Sequence, residues 1–155
     1  MKFIGFSFYS NGLQYAIAEK LDGTTVSIIE RERRLNPAVG RIRETANWLH
    51  DTFNEVHKRN QFSFVGYKAH FDLNSIKDLN THGVPIGVLA SFCAEQDIPI
   101  EGFTAKKIKG YKFLNLPKPT LTFDWLNNNH ADGNMYWNDN ARYSIGVAFH
   151  LALNN

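Results

Sequence analysis

The chain has 155 residues, of which 43% are hydrophobic and 21% are charged, a composition typical of a globular domain and not of a disordered chain. Its net charge of +2 permits a nucleic-acid partner without indicating one. The single cysteine, Cys93, excludes an internal disulfide and a cysteine zinc cluster. Because the sequence has neither a secretory leader pattern nor an apolar run of about 18 residues, we expect one cytoplasmic domain spanning residues 1–155, with no membrane partner.

The first predicted element is an apolar strand within Met1–Gly12, the sequence MKFIGFSFYSNG. A short apolar run that ends in a turn sequence is typical of a buried strand entering a hairpin, and Asn11-Gly12 accepts the positive φ angles of a tight turn. A strand that is apolar on both faces belongs in the middle of a sheet. Ser7 is the polar side chain in the middle of this strand, so its role becomes the main functional question.

Two more strands follow, over Leu13–Glu19 and Thr24–Glu32, with a second tight turn at Asp22-Gly23. Tight turns between short strands predict three antiparallel strands at the start of the domain. The arginines that end the third strand are interpreted as a solvated strand end; they are Arg31, Arg33 and Arg34.

Helical and extended patterns then alternate. Apolar residues at three- and four-residue spacing predict an amphipathic helix over Arg41–Arg59. The later elements are a fourth strand at Phe62–Lys68, a helical region within Asn74–Gln96 that contains Pro85, a fifth strand at Ile100–Phe103, a short helix at Ala105–Lys109, a helix over Leu116–Asn129 and a closing helix that begins at Asn138 or Asp139. This order predicts an α/β domain with a five-stranded mixed sheet, three antiparallel strands first, flanked by helices. It is the element order of the ribonuclease H-like fold.

Three segments resemble the RuvC-type Holliday junction resolvases, which have that fold. They are FIGFSFYSNG in the first strand, Ser75–Lys112 from the second helical region through a lysine-rich stretch, and NDNARYSIGVAFHLA in the closing helix. The resemblance implies a site where two magnesium ions, held by carboxylates, activate water at a phosphodiester. It places those acids in the first strand, at the end of the fourth and at the start of the last helix.

The positions that match the family's acids hold mostly other residues. The first-strand position is Ser7, and the fourth-strand position falls on Tyr67, within one residue. In the last motif Asn140 or Arg142 replaces the main Asp, while Asp139 survives as a candidate metal ligand. One carboxylate does not hold two magnesium ions, and an inward Arg142 would repel a metal and occupy its place. We therefore expect a site that has lost its metal and uses no cofactor.

Other ionisable side chains add little to this site. Asp72, just past the fourth strand, is the nearest additional acid, whereas Glu19 and Glu30 are expected to face solvent. The six histidines show no close metal-ligand spacing, and His70 is interpreted as structural although it falls near the site. Ser7 and Cys93 are interpreted as packed residues and not as nucleophiles.

A lysine-rich segment, residues 102–123, contains no acidic residue. Phe103, Tyr111 and Phe113 are interleaved with its five lysines, a pattern that suits a phosphate backbone with some unstacked bases. The alternative is a solvated loop with two buried aromatics. The resemblance favours DNA, because the family grips DNA here. The predicted DNA contacts are Lys106, Lys107, Lys109, Tyr111, Lys112 and Lys118.

These observations predict a nucleic-acid-binding domain of RuvC type that has lost its nuclease site and binds DNA, including branched DNA, without cutting it. Two alternatives stay open. One is an active junction endonuclease with rearranged acids, the single case that needs Mg²⁺; the other is a protein-binding module on the same scaffold. The resemblance also implies a homodimer formed through the helix at Gly83–Gln96. The candidate contacts are Val84, Ile86, Val88 and Leu89, and a core role for half of them is the alternative.

Overall fold

The computed structural model describes residues 1–21, 23, 25–70, 73–131, 133 and 137–155. The strands are β1 (Lys2–Tyr9), β2 (Gly12–Lys20), β3 (Val26–Leu35), β4 (Phe64–Ala69) and β5 (Ile100–Thr104). The helices are α1 (Ile42–Asn60), α2 (Ile76–Asp78), α3 (Val84–Glu95), α4 (Ala105–Lys109), α5 (Thr122–His130) and α6 (Asp139–Asn154), and a π-helical turn at Leu79–Gly83 joins α2 to α3.

One five-stranded sheet in the order β3-β2-β1-β4-β5 forms the centre of the fold. β1 pairs antiparallel with β2 and parallel with β4, while β3 and β5 complete the two sides. Residues 3–8 of β1 are all buried. The mixed sheet with three antiparallel strands first, and with the first strand at its centre, is therefore confirmed.

Each face of the sheet has its own hydrophobic core, because successive side chains of a strand point to opposite faces. On one face Phe3 belongs to the core beneath α6, together with Val147. On the other face Phe6 packs with Phe53 of α1 and Phe92 of α3. We call the first the α6 face and the second the α1 face.

α6 lies directly on β1 and β4 at two glycines. Gly5 and Gly66 are neighbours in register. A Cβ atom at Gly5 would lie 2.1 Å from the carbonyl oxygen of Ser144, and one at Gly66 would lie 2.5 Å from a methyl carbon of Val147. Only residues without side chains allow this close approach, so the glycine pair seats the helix on the sheet.

The first hairpin differs in detail from the prediction. Its loop is Ser10-Asn11, and neither these residues nor Gly12 have positive φ. Gly12 is needed for a different reason, since a Cβ there would lie 2.1 Å from the carbonyl oxygen of Arg34 on β3. In the predicted second turn and third strand, Asp22 and Thr24 lie outside the described residues.

α5 begins at Thr122 and not at Leu116 as predicted. Leu116 and Lys118 each precede a proline, and a residue in that position is driven away from the helical conformation. Pro85 lies in the first turn of α3, one of the two roles predicted for it. Within the described ranges, no helix is both long and apolar enough to cross a membrane.

A charged network on the α1 face ties β3 to α1. The Tyr15 hydroxyl lies 2.5 Å from Glu30 Oε1 and 2.6 Å from Glu32 Oε2. Arg34 donates to Glu32 at 3.0 Å and to Glu55 at 2.8 Å. Burial raises the pKa of Tyr15, and its two carboxylate neighbours raise it further. The predictions that Glu30 faces solvent and that Arg34 is a solvated strand end are therefore wrong, because both are partners in this network.

Candidate functional site

Ser7 and Asn140 join the central strand to the start of the closing helix. Ser7 is fully buried, and its hydroxyl donates a 2.7 Å hydrogen bond to Oδ1 of Asn140. The step of four residues from Ser144 to Asn140 along a helix is about 6 Å, and the step of two residues from Gly5 to Ser7 along a strand is about 6.6 Å. A helix antiparallel to β1 with Ser144 over Gly5 therefore brings Asn140 over Ser7. This agrees with the predicted approach of Ser7 to the start of the closing helix.

The start of α6 is fixed by a side-chain cap. Asn138 is the N-cap, and its Oδ1 accepts a 3.1 Å hydrogen bond from the backbone N–H of Ala141. Asp139 follows in the first turn, where a negative charge interacts favourably with the helix dipole and stabilises the helix. Its carboxylate lies 3.1 Å from Nη1 of Arg142 and 3.7 Å from Nζ of Lys109. Asp139 is thus an exposed acid held between two cations.

Lys68, and not Tyr67, is the β4 residue on the site's face of the sheet. Phe6 pairs with Tyr67, so Ser7 and Lys68 come next in register. Tyr67 packs with the core of the α1 face, and its ring lies over Gly102 of β5. The prediction of Tyr67 was stated to within one residue, and strand alternation puts its neighbour Lys68 on the site's face of the sheet.

Two lysine ammonium groups lie beside the Tyr143 ring at this site. Nζ of Lys68 is 5.1 Å from the ring centroid and Nζ of Lys109 is 5.6 Å from it, distances at which a cation is attracted to an aromatic ring. Nζ of Lys68 also contacts Nε2 of His70. The His70 ring stacks on that of His82, with centroids 3.7 Å apart. His70 thus joins the site through Lys68.

The surroundings shift the pKa of several of these groups. Burial lowers the pKa of Lys68, the charge of Lys109 lowers it further, and Asp139 opposes both effects. The Tyr143 hydroxyl raises the pKa of Lys109, with a smaller contribution from Asp139. Burial, together with neighbouring cations, lowers the pKa of His82 to about 4. The site therefore combines charged lysines with a histidine that is neutral at pH 7.

Arg142 does not point toward Ser7. Its Nε donates a 2.8 Å hydrogen bond to Oδ1 of Asn127 in α5, and its guanidinium lies 5.3 Å from the ring centroid of Trp137. Arg31 approaches the same ring at 5.8 Å. Residues two apart on a helix do not share a face, so Asn140 and Arg142 diverge. The possibility that Arg142 occupies a metal position is therefore wrong.

These contacts form a continuous strip across the start of α6, in which the Tyr143 ring is buried and the other members are exposed or half-buried. Neighbouring members touch through ion pairs or cation–π contacts, so each basic group lies against an aromatic ring, and two of them also pair with the Asp139 carboxylate. We call this strip the basic–aromatic band, and its members are Arg31, Trp137, Arg142, Asp139, Lys109, Tyr143 and Lys68.

No protein-family model and no curated protein sequence matches the chain. Solved structures do match it. Thermus thermophilus RuvC in complex with a Holliday junction substrate gives a TM-score of 0.75 at 13% identity, covering 99% of this chain and 93% of that chain. The chain has the ribonuclease H-like fold of RuvC. The yeast mitochondrial Holliday junction resolvase Ydc2 gives 0.61 at 12% identity, covering 98% and 80%. The fowlpox virus Holliday junction resolvase gives 0.50 at 14% identity, covering 99% and 96%.

The side chains described at this place in the RuvC fold do not fit a pair of divalent cations. Magnesium takes oxygen ligands, chiefly carboxylates. The carboxylate found here is Asp139, which already contacts Lys109 and Arg142, and Lys68 adds positive charge. Among the residues that the structure describes, no three His, Cys, Asp or Glu side chains are grouped so as to hold a metal. Asp72, the predicted nearby acid, lies outside the described residues.

Only part of the lysine-rich segment lies on the surface of the protein. All five of its lysines are exposed. Phe103 and Phe113 are buried and pack on His150, which agrees with the alternative interpretation for these two rings. Tyr111 is half-buried, and Nζ of Lys118 lies 5.0 Å from its ring centroid. Tyr111 therefore remains a candidate for stacking on a base.

Lys109 is the lysine of this segment that joins the band. Lys107 and Lys109 are two residues apart on α4 and leave it in different directions. Nζ of Lys107 lies 3.9 Å from Glu101 and 4.8 Å from the Phe103 ring centroid, at the β5 edge, whereas Lys109 contacts Asp139. These two lysines do not follow one row. DNA contact by the segment stays a prediction for each residue, namely Lys106, Lys107, Lys109, Tyr111, Lys112 and Lys118.

Several band members were missed by sequence reasoning. Lys68 was absent from the predicted site because the apolar run around it hides which side chains share a face. The two glycines could have indicated Lys68. If Gly5 and Gly66 contact the same helix, Ser7 and Lys68, each two residues later in its strand, lie on the same face of the sheet as that helix. Nothing comparable in the sequence connects Arg31 to Trp137, because that contact depends on how separate elements pack.

Proposed function

We propose that this chain binds DNA, including branched DNA, through the basic–aromatic band. The observation that carries the proposal is the arrangement of Lys68, Lys109 and Arg142 near the carboxylate of Asp139, the one acid that the described residues place there. A surface with excess cations attracts the phosphate backbone, and the half-buried ring of Trp137 offers a platform for an unstacked base. The fold resemblance to RuvC bound to a Holliday junction substrate makes the four-way junction the first DNA to test.

We propose further that bound DNA is not cut and that no metal cofactor is used. Two-metal hydrolysis needs carboxylates that hold both ions and so generate a nucleophile from water. The neutral side chains of Ser7 and Asn140 and the cation of Lys68 supply none of these ligands. Asp139 alone would leave a metal with few protein contacts.

The test measures binding and cleavage in the same samples. Fluorescently labelled four-way junction, duplex and single strand are titrated with the protein in Mg²⁺, in Mn²⁺ and in EDTA. Binding is followed by anisotropy and cleavage by denaturing gel, with Thermus thermophilus RuvC as the control for cleavage. We expect salt-sensitive binding, strongest to the junction, and no product.

Two outcomes would favour the alternatives. Metal-dependent cutting that is lost in Asp139→Ala would support an active endonuclease with rearranged acids. No DNA binding even at low salt would support a protein-binding module on this scaffold.

We propose that residues 1–155 act as one domain that pairs as a homodimer through α3. Support comes from the exposed small residues Gly87, Ala90 and Ala94, which leave one side of that helix open to a close neighbour. Leu89 is fully buried in the core and so is not available as a contact. The predicted contact set is corrected accordingly.

A further inference from the structure

Positive charge is in excess at the centre of the band. The ammonium groups of Lys68 and Lys109 both lie within 6 Å of the Tyr143 ring centroid, at 5.1 and 5.6 Å. Asp139 offsets part of this charge, but it is shared with Arg142. Lys68 is half-buried, and removal of water strengthens repulsion between like charges. An anion bound at this point would relieve that repulsion.

Asn140 adds a neutral donor to the same place. Its Oδ1 accepts the hydrogen bond from Ser7, so its NH₂ group is turned away from the buried strand. An ammonium group has only donors, and an amide NH₂ offers two more. The ligand that satisfies such a set must bring acceptor oxygens and negative charge, as the non-bridging oxygens of a phosphodiester do.

We propose that Lys68 and Lys109 together hold one backbone phosphate of a bound nucleic acid directly, with the Asn140 amide as a further donor. This rests on the proposed DNA binding and adds to it the position and chemistry of the central contact. Because the ammonium groups contact the phosphate themselves, binding requires no divalent metal. One phosphate is shared by both lysines, which sets the stoichiometry of the contact.

The test compares salt dependence of binding among variants of the full chain. Lys68→Met, Lys109→Met and the double variant keep the aliphatic stems, and Lys58→Met on the exposed part of α1 is the matched control. Losing a charged hydrogen bond should weaken junction and duplex binding about tenfold to a hundredfold. The slope of log affinity against log salt should stay nearly unchanged in each single variant, because the remaining lysine still neutralises the phosphate, and should flatten by about 0.9, the value for one phosphate, in the double variant. Lys58→Met should match the wild type.

Asn140→Asp is a second variant of nearly unchanged shape. It should weaken binding because a carboxylate repels the phosphate. Melting temperatures of all variants establish that they fold. Affinity measured in EDTA and in Mg²⁺ at matched ionic strength should agree.

The results separate this inference from the proposal beneath it. If the wild type and the lysine variants bind DNA with the same affinity and the same salt dependence, the proposed phosphate contact is wrong while DNA binding stands. If the wild type binds no DNA, both fail. A double variant that loses about two units of slope would mean two phosphates and overturn the shared contact. Millimolar inorganic phosphate at constant ionic strength should not displace DNA, and displacement would assign the site to a free phosphate.

Discussion

Gly5→Ala tests the contact that assembles the site. The added Cβ would lie 2.1 Å from the Ser144 carbonyl oxygen, 2.8 Å from the Ala148 nitrogen and 3.1 Å from Val147 Cβ. Ordinary contact begins at 3.4 Å, so β1 and α6 would have to separate by up to 1.3 Å, the difference from 2.1 Å. Backbone atoms of a helix cannot rotate away as a flexible side chain does. Overpacking costs about 1–3 kcal/mol, and we expect the upper end.

For a domain of this size, about 3 kcal/mol corresponds to a melting temperature lower by roughly 6–12 °C. The assay is thermal unfolding followed by circular dichroism. Gly110→Ala is the matched control, because the nearest atoms would lie 3.5 and 3.8 Å from a Cβ there, which is ordinary contact, and alanine at a position with a compatible φ, here −72°, stabilises a protein by about 0.4–1 kcal/mol. The control should melt slightly higher than the wild type. A Gly5→Ala protein that melts within about 2 °C of the wild type would refute the seating of α6 on β1.

Two further predictions concern pH and assembly. Burial holds the pKa of His82 at about 4, below its ordinary 6.5. As pH falls below 6.5, the unfolded chain therefore binds a proton before the folded chain does, and stability decreases. In melting curves between pH 6.5 and about 5, His82→Gln should lose less stability than the wild type, and equal losses would contradict this. The proposed homodimer should have twice the 17.7 kDa mass of the chain by light scattering, and Ala90→Glu should reduce it to a monomer; a wild type that is already monomeric would sink the dimer.

The central position of β1 follows from features that are local in the sequence. Residues 3–8 are apolar on both faces apart from Ser7 and Gly5, and only an interior strand buries both faces. The tight loop at Ser10-Asn11 then dictates an antiparallel neighbour. The approach of Ser7 to α6 follows in turn, because the closing helix must cover the centre of the sheet. Each of these steps uses contacts between residues that are close in sequence or forced together by burial.

The identity of the β4 residue at the site could not be predicted in the same way. In the segment FVGYKA, both alternating rows contain a residue that packs, so either row suits a buried face. A shift of one residue exchanges Tyr67 for Lys68 and reverses the inferred chemistry. The direction of Arg142 was equally inaccessible, because it depends on Asn127 and Trp137 from other parts of the chain.

At the same position in a fold, a carboxylate and an ammonium group interact with a phosphate in opposite ways. Carboxylates repel a phosphate and bind it only through metal ions that lie between the two. Those ions also lower the pKa of bound water, so that the water can attack the phosphorus. An ammonium group attracts the phosphate without an intermediary and, being only a donor, cannot take a proton from water. Lys68 beside the neutral Ser7 and Asn140 would therefore keep the strand and helix geometry that presents a phosphate while removing the means to hydrolyse it. If the proposed function is right, binding and cleavage are separated here by the charge of a few side chains, with no change to the backbone.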